Sequence, residues 1–219
     1  MQVRVIPKPD LAPLDRLLLD GEGRMRAISQ MELATIPQLE LSAWCHIHGR
    51  YHVPSREMVA WLKEQIADRE ALEIGAGAGD LGRLLGIRMT DSYVQAESLD
   101  IQLYYEALGV APTSPAPDVE RLEALAAVEK YQPEVVVGAW ITQLYQKGDE
   151  GPPFIGSSIY GVDELKIRTK VKKYIHIGHT DLHHRKRLLR FRYKSYRLPF
   201  LFSRGFDPSG NVVHVWSRR

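Results

Sequence analysis

A carboxylate and three glycines at alternate positions, Glu73, Gly75, Gly77 and Gly79, are the residues of this 219-residue chain best suited to chemistry. They lie in the stretch Ala71-Leu72-Glu73-Ile74-Gly75-Ala76-Gly77-Ala78-Gly79-Asp80-Leu81-Gly82. The apolar run Ala71–Ile74 reads as a short strand. Leu81, Leu84 and Leu85 give the following segment a helical stripe, with Asp80 as its expected cap. Alternate glycines strip the turn of Cβ atoms and free φ, so a ligand can approach the backbone closely. A helix N-terminus facing the turn favours electron-rich groups. Eighteen residues after Glu73, Asp91 closes a second strand, Ile87-Arg88-Met89-Thr90. A carboxylate at that point can bond both hydroxyls of a ribose; the alternative is a turn-forming Asp-Ser pair. Ser92 and Tyr93 follow within reach of the same nucleoside. His179, after the strand Tyr174–Gly178, is either a general base, since imidazole titrates near neutrality, or part of a cap with Asp181, His183 and His184.

The register of the glycines separates two ligand classes. A dinucleotide fingerprint begun at Gly75 puts Asp80 where a small residue must let helix and strand pack. Begun at Gly77 it matches through Gly79 and Gly82, but Gly75 and Ala76 then push the strand away from the turn. The pattern acidic-x-Gly-x-Gly-x-Gly is filled completely by Glu73, Gly75, Gly77 and Gly79. It resembles motif I of the class I S-adenosylmethionine (SAM)-dependent methyltransferases. An ordinary glycine-rich turn is the remaining reading. The resemblance implies that Glu73 helps hold the methionine end of SAM and that the segment Gly75, Ala76, Gly77 and Gly79 passes beneath it. It also implies that an acidic residue after the third strand bonds the adenine amino group. Asp118 is the candidate, or else a plain helix N-cap, because no third strand is visible before it. Ala139 and Trp140, at the end of the strand Val135–Ala139, complete the expected cofactor wall. No Asn/Asp-Pro-Pro-aromatic motif follows that strand, which argues against methylation of base amino groups.

Other elements must position these groups. Residues 1–23 read as an arm with one short helix, and Arg24–His48 as helix interrupted at Ile36-Pro37 and closed by Gly49. His46 and His48 are two apart and do not share a helical face, so no metal site is expected with Cys45. Ser55 caps a helix carrying Met58, Val59, Leu62 and Ile66, and Tyr51 just before it is a candidate lid contact to substrate. Ser98–Leu108 reads as helix, and Val110–Pro117 as a proline-rich loop. The β-branched run Val135–Val137 suits a strand buried on both faces, and ligands sit at the carboxyl ends of such strands. That makes Thr142 and Gln143 substrate-side candidates. Lys147–Ser158 is expected to be a lid, and Asp163 to cap the helix Glu164–Val171. A terminal hairpin is expected from a strand around Leu198–Ser203 and Val212–Trp216.

Hydrophobic and charged contents of 44% and 26% are ordinary for a globular chain. One cysteine excludes an internal disulfide framework. No leader and no membrane-spanning run is read, so the expected location is the cytoplasm. The net charge of +2 hides a split: Lys166–Arg219 holds fifteen Lys/Arg against two acids. Such asymmetry suits a polyanionic partner, or neutralisation between the halves of one fold. Between Arg185 and Arg197 basic residues alternate with Phe191, Tyr193 and Tyr196, as in a surface that binds nucleic acid or a half-buried strand. The expected fold is α/β: a doubly wound, mostly parallel seven-stranded sheet with a C-terminal antiparallel hairpin. The resemblance implies a helical N-terminal extension and cofactor lid over residues 1–54 and a Rossmann-like SAM-binding domain over residues 55–219. The expected activity is transfer of the SAM methyl group to an acceptor the sequence does not identify. A non-catalytic SAM-binding or nucleic-acid-associated protein, and an NAD(P)-dependent oxidoreductase, are the alternatives.

Overall fold

The computed structural model describes residues 10–146 and 156–218. Most of the expected lid, Lys147–Ser158, lies outside them. One sheet holds β1 (Ala71–Ile74), β2 (Arg88–Asp91), β3 (Glu120–Arg121), β4 (Val135–Ala139), β5 (Lys173–His179), β6 (Lys194–Tyr196) and β7 (Asn211–Ser217). Their spatial order is β3-β2-β1-β4-β5-β7-β6. β1 to β5 pair in parallel, and β7 runs antiparallel to both β5 and β6. The principal helices are α1 (Gln38–Ile47), α2 (Arg56–Ile66), α3 (Asp80–Leu85), α4 (Leu99–Ala107), α5 (Ala124–Tyr131) and α6 (Glu164–Lys170). The fold is therefore α/β and doubly wound, with a mostly parallel seven-stranded sheet.

The valine run of β4 explains how the layers assemble. Successive side chains point to opposite faces. Val135 and Val137 join α2 and α3 on one face, with Ile175, Ile177, Val213 and Val215. Val136 joins α5 and α6 on the other, with Leu72, Ile74, Tyr174 and Trp216. Both faces are covered, so the strand reads as a continuous apolar run. α2 starts as expected, with Ser55 Oγ accepting from Met58 N at 3.0 Å.

A third cluster, including Leu18, Leu41, Trp44 and Cys45, belongs to the N-terminal extension and is closed by Val53 and Phe202. His52–Pro54 pairs with Leu201–Ser203 in a separate two-stranded ladder. Gln38 Nε2 donates to the carbonyls of Ser203 and Gly205 at 2.9 and 2.6 Å.

Four expectations are corrected. The strand near Leu198–Ser203 exists, but it serves that ladder, and the partner of β7 in the sheet is Lys194–Tyr196. The helix expected from Arg24 is restricted to Gln30–Leu33 before Pro37, because Met25 and Ile28 make bridges to Leu19 and Ser55. The segment opened by Asp118 begins with the two-residue strand β3, and its helix starts only at Ala124 after Glu123. Asp80 does not cap α3. Gly79, at φ 74°, is the N-cap, and Asp80 Oδ2 instead accepts from Arg50 Nε at 2.8 Å.

Candidate functional site

The glycine turn joins β1 to α3 with Gly75, Gly77 and Gly79 at φ of 60°, 53° and 74°. All three occupy the left-handed region that side chains rarely adopt. Ala76 N donates to Thr90 O at 3.0 Å, which ties the turn to β2. Asp91, at the end of β2, leans across it: Oδ2 accepts from Gly77 N at 2.9 Å and Oδ1 from Tyr93 N at 2.7 Å. The structure thus brings Gly75–Gly79 and Asp91 together. Ser92 Oγ accepts from Val94 N at 3.4 Å and starts the next turn.

Glu73 is turned beneath α3. Its Oε2 accepts from Gly82 N at 2.7 Å, and a Cβ at Gly82 would lie 2.5 Å from that oxygen and 2.4 Å from Met89 Cγ. Gly82 is thus a packing requirement. Burial pushes the Glu73 carboxyl up to about 8, opposed by the Gly82 N–H and reinforced by Asp80 and Asp91. A carboxyl raised on folding contributes stability that is complete below its unfolded pKa of 4.5 and lost as pH rises towards 8. Melting temperatures of the wild type should therefore fall between those limits in excess of a Glu73→Gln variant. Parallel curves would show that Glu73 is ionised in the fold.

The outer side of the turn is covered by protein. A Cβ at Gly77 would meet Thr113 Cγ2 at 2.5 Å, and one at Gly75 would meet Ile141 Cγ2 at 2.7 Å. Thr113 belongs to the proline-rich loop, which is fastened at several points. Its Oγ1 donates to Gly49 O at 2.7 Å and its N–H to Gln95 Oε1 at 3.0 Å. Ala111 N donates to His46 O at 2.9 Å. Gln95 in turn donates to Tyr51 OH at 3.3 Å, Tyr51 hydrogen-bonds Tyr105, and the Arg204 guanidinium lies 3.6 Å from the Tyr51 ring centroid. Tyr51 therefore anchors this strap. Proline content marks Val110–Pro117 as a loop, but nothing local in sequence says where Thr113 lands.

At the carboxyl end of β4, Ala139 leads into Trp140, which takes φ 59° and is buried with Nε1 outside any hydrogen bond. Its ring centroid lies 6.4 Å from that of His179 and 5.9 Å from that of His183. His179 Nδ1 accepts from Asp181 N at 3.2 Å and Nε2 donates to Asp207 O at 2.8 Å. Both ring nitrogens are engaged, which is the capping arrangement; the general-base expectation finds no free nitrogen to support it. Thr142 O accepts from Val162 N at 2.8 Å. Gln143 is buried and turned away, accepting from Arg187 N at 2.9 Å and donating to Arg185 O at 3.3 Å. Asp118 is corrected twice. It caps no helix, and it precedes β3, where the resemblance needs a residue after it. There it forms a two-point ion pair with Arg83, at 2.6 and 2.9 Å. The position after β3 belongs to Leu122 and Glu123, which a two-residue strand hid from sequence reading.

Behind Ile141 lies a buried polar group. Lys186 Nζ donates to Glu164 Oε2 at 2.5 Å and to Ile141 O at 3.0 Å, and Tyr174 OH donates to Glu164 Oε1 at 2.7 Å. Burial and the Lys186 charge hold the neighbouring His183 neutral, down to about 3, and push His176 down as well. Among the described residues no group of three or more His, Cys, Asp or Glu is arranged to hold a metal, and no helix is long and apolar enough to cross a membrane.

No protein-family model and no curated protein sequence matches the chain. Among solved structures it is similar to the Thermoplasma acidophilum protein 1320, at 13% identity and a TM-score of 0.37 over 83% of this chain and 97% of that one. It is also similar to a Pyrococcus horikoshii protein described as a "putative RNA methyltransferase", at 13% identity and a TM-score of 0.36 over 86% and 96%. The chain itself has a doubly wound sheet whose last strand is antiparallel and a carboxylate-and-glycine turn at the end of β1.

Proposed function

We propose that the chain binds SAM over the β1–α3 turn and transfers its methyl group to an acceptor at the carboxyl ends of β4 and β5. The observation that carries this reading is the meeting of Asp91 and Gly77 N at 2.9 Å above three left-handed glycines. Each Asp91 oxygen takes one backbone donor and keeps acceptor capacity for a ribose hydroxyl. Glu73 braces the turn from beneath. On this reading Leu122 and Glu123, which follow β3, take the adenine, and Ala139 and Trp140, at the end of β4, line the opposite wall. The residues fit the cofactor on one condition: Thr113 and Ile141 must withdraw from Gly77 and Gly75. SAM supplies a methyl group made electrophilic by a sulfonium. The acceptor is itself the nucleophile, so the protein's part is to orient donor and acceptor and exclude water, which needs no nucleophilic side chain.

Calorimetric titration with SAM, S-adenosylhomocysteine, NAD and NADP tests this reading. Binding of the first two alone is expected; binding of NAD or NADP alone would replace methyl transfer by hydride transfer. Asp91→Ala should weaken SAM by about 1–3 kcal/mol, as for loss of a charged acceptor. An unchanged affinity would remove the ribose contact. A second reading, SAM binding without turnover in a nucleic-acid-associated protein, is favoured by the covered turn, the engaged His179 and the basic Arg185–Arg197 stretch. Tight SAM binding with no acceptor labelled in a broad screen would select it.

A further inference from the structure

The basic segment is not uniform. Lys186 is buried against Glu164, and the Arg187 guanidinium donates to Leu144 O at 2.6 Å. Both hold the fold together. A different set faces outward at the free edge of the sheet, beside β6. Phe191 and Tyr193 remain 40% and 38% exposed, although both are fixed. The Arg168 guanidinium of α6 lies 4.2 Å from the Phe191 ring centroid. Tyr193 rests against His214 and Trp216 at 4.8 and 5.4 Å. Arg190, Arg192 and Lys194 are exposed around them, and none meets a carboxylate among the described residues. Leu182–Arg197 contains no acid.

We propose that this edge, formed by Phe191, Tyr193, Arg168, Arg190, Arg192 and Lys194, binds single-stranded nucleic acid. Two rings held in place and partly open offer stacking surface without the entropic cost of ordering them, and every base has a face to stack. Unpaired cations beside the rings attract a phosphate backbone and gain by releasing its counterions. A duplex hides its base faces, so this chemistry selects single strands. The proposal goes beyond the cofactor reading and does not depend on it.

Fluorescence anisotropy with short labelled single-stranded RNA and DNA, the matching duplexes and inorganic polyphosphate as competitor tests it. Single strands should bind, with affinity falling steeply as salt rises. Phe191→Ala and Tyr193→Ala should each weaken binding about tenfold, while Tyr193→Phe, which keeps both the stacking ring and the packing, should not. Replacing Arg190, Arg192 and Lys194 together by alanine should reduce the salt slope by about 2. Calorimetry should find SAM affinity unchanged in all these variants, and melting curves should show them folded. Four results would overturn the proposal: no binding at low salt, preference for duplex, full competition by polyphosphate with the ring variants unaffected, or a dimer in sedimentation that the same substitutions dissolve.

Discussion

Gly77→Val should abolish SAM binding, lowering affinity at least a hundredfold, about 3 kcal/mol. Gly77 sits at φ 53°, where a β-branched residue is strained. Its Cβ would also lie 2.5 Å from Thr113 Cγ2. Strain of this kind costs about 1–3 kcal/mol, so the variant should melt earlier yet still fold around its three apolar clusters. Two effects are then separable. Adding Thr113→Gly to Gly77→Val removes the collision with the strap and should restore part of the melting temperature, but the valine still occupies the ligand's path and binding stays lost. Thr113→Gly alone uncovers the turn and should tighten SAM. Wild-type affinity in a folded Gly77→Val protein would mean that no ligand passes over this turn.

Lys186→Met should be the most damaging single change to stability, at about 3–5 kcal/mol. It leaves Glu164 buried without its cation, and an uncompensated buried charge costs more than the pair contributes. The double variant Lys186→Met/Glu164→Gln should recover most of the loss, because a neutral amide can still accept from Tyr174 OH, the Oε1 partner in the wild type at 2.7 Å. Urea unfolding of the two variants checks this; equal losses would show that the pair is not coupled. Lys186 also holds the carbonyl of Ile141 at 3.0 Å, and the Ile141 side chain covers Gly75. Its removal should therefore alter SAM affinity as well, linking the basic segment to the glycine turn.

Local signals were legible in the sequence where structure is made locally. β1, the glycine turn, α2 and the valine run of β4 follow from periodicity, capping and backbone freedom within a few residues. β3 did not, because two residues, Glu120 and Arg121, are too few to establish a period. The Leu201–Ser203 strand was visible, but its partner was not, since pairing with His52–Pro54 is decided by elements about 150 residues apart. Asp80 has the composition of a cap, yet Gly79 already provides the left-handed start, and Arg50 offers a buried charge partner. At the candidate site, residue type and spacing single out Glu73, the glycines and Asp91 in the sequence. Thr113, Gln95 and Ile141 did not, because the contacts that give them importance are made across the fold.

The fastening of the extension to Leu201–Ser203 has a consequence for synthesis. Leu18, Trp44 and Cys45 are synthesised well before Phe202, which closes their cluster. At bacterial to eukaryotic elongation rates the interval is on the order of ten seconds. Throughout it the apolar surface of the extension lacks its cover, and the ladder that should hold it has one strand. The nascent chain therefore carries an uncovered apolar cluster, and a demand for chaperone shielding, until Leu201–Ser203 has been made and paired.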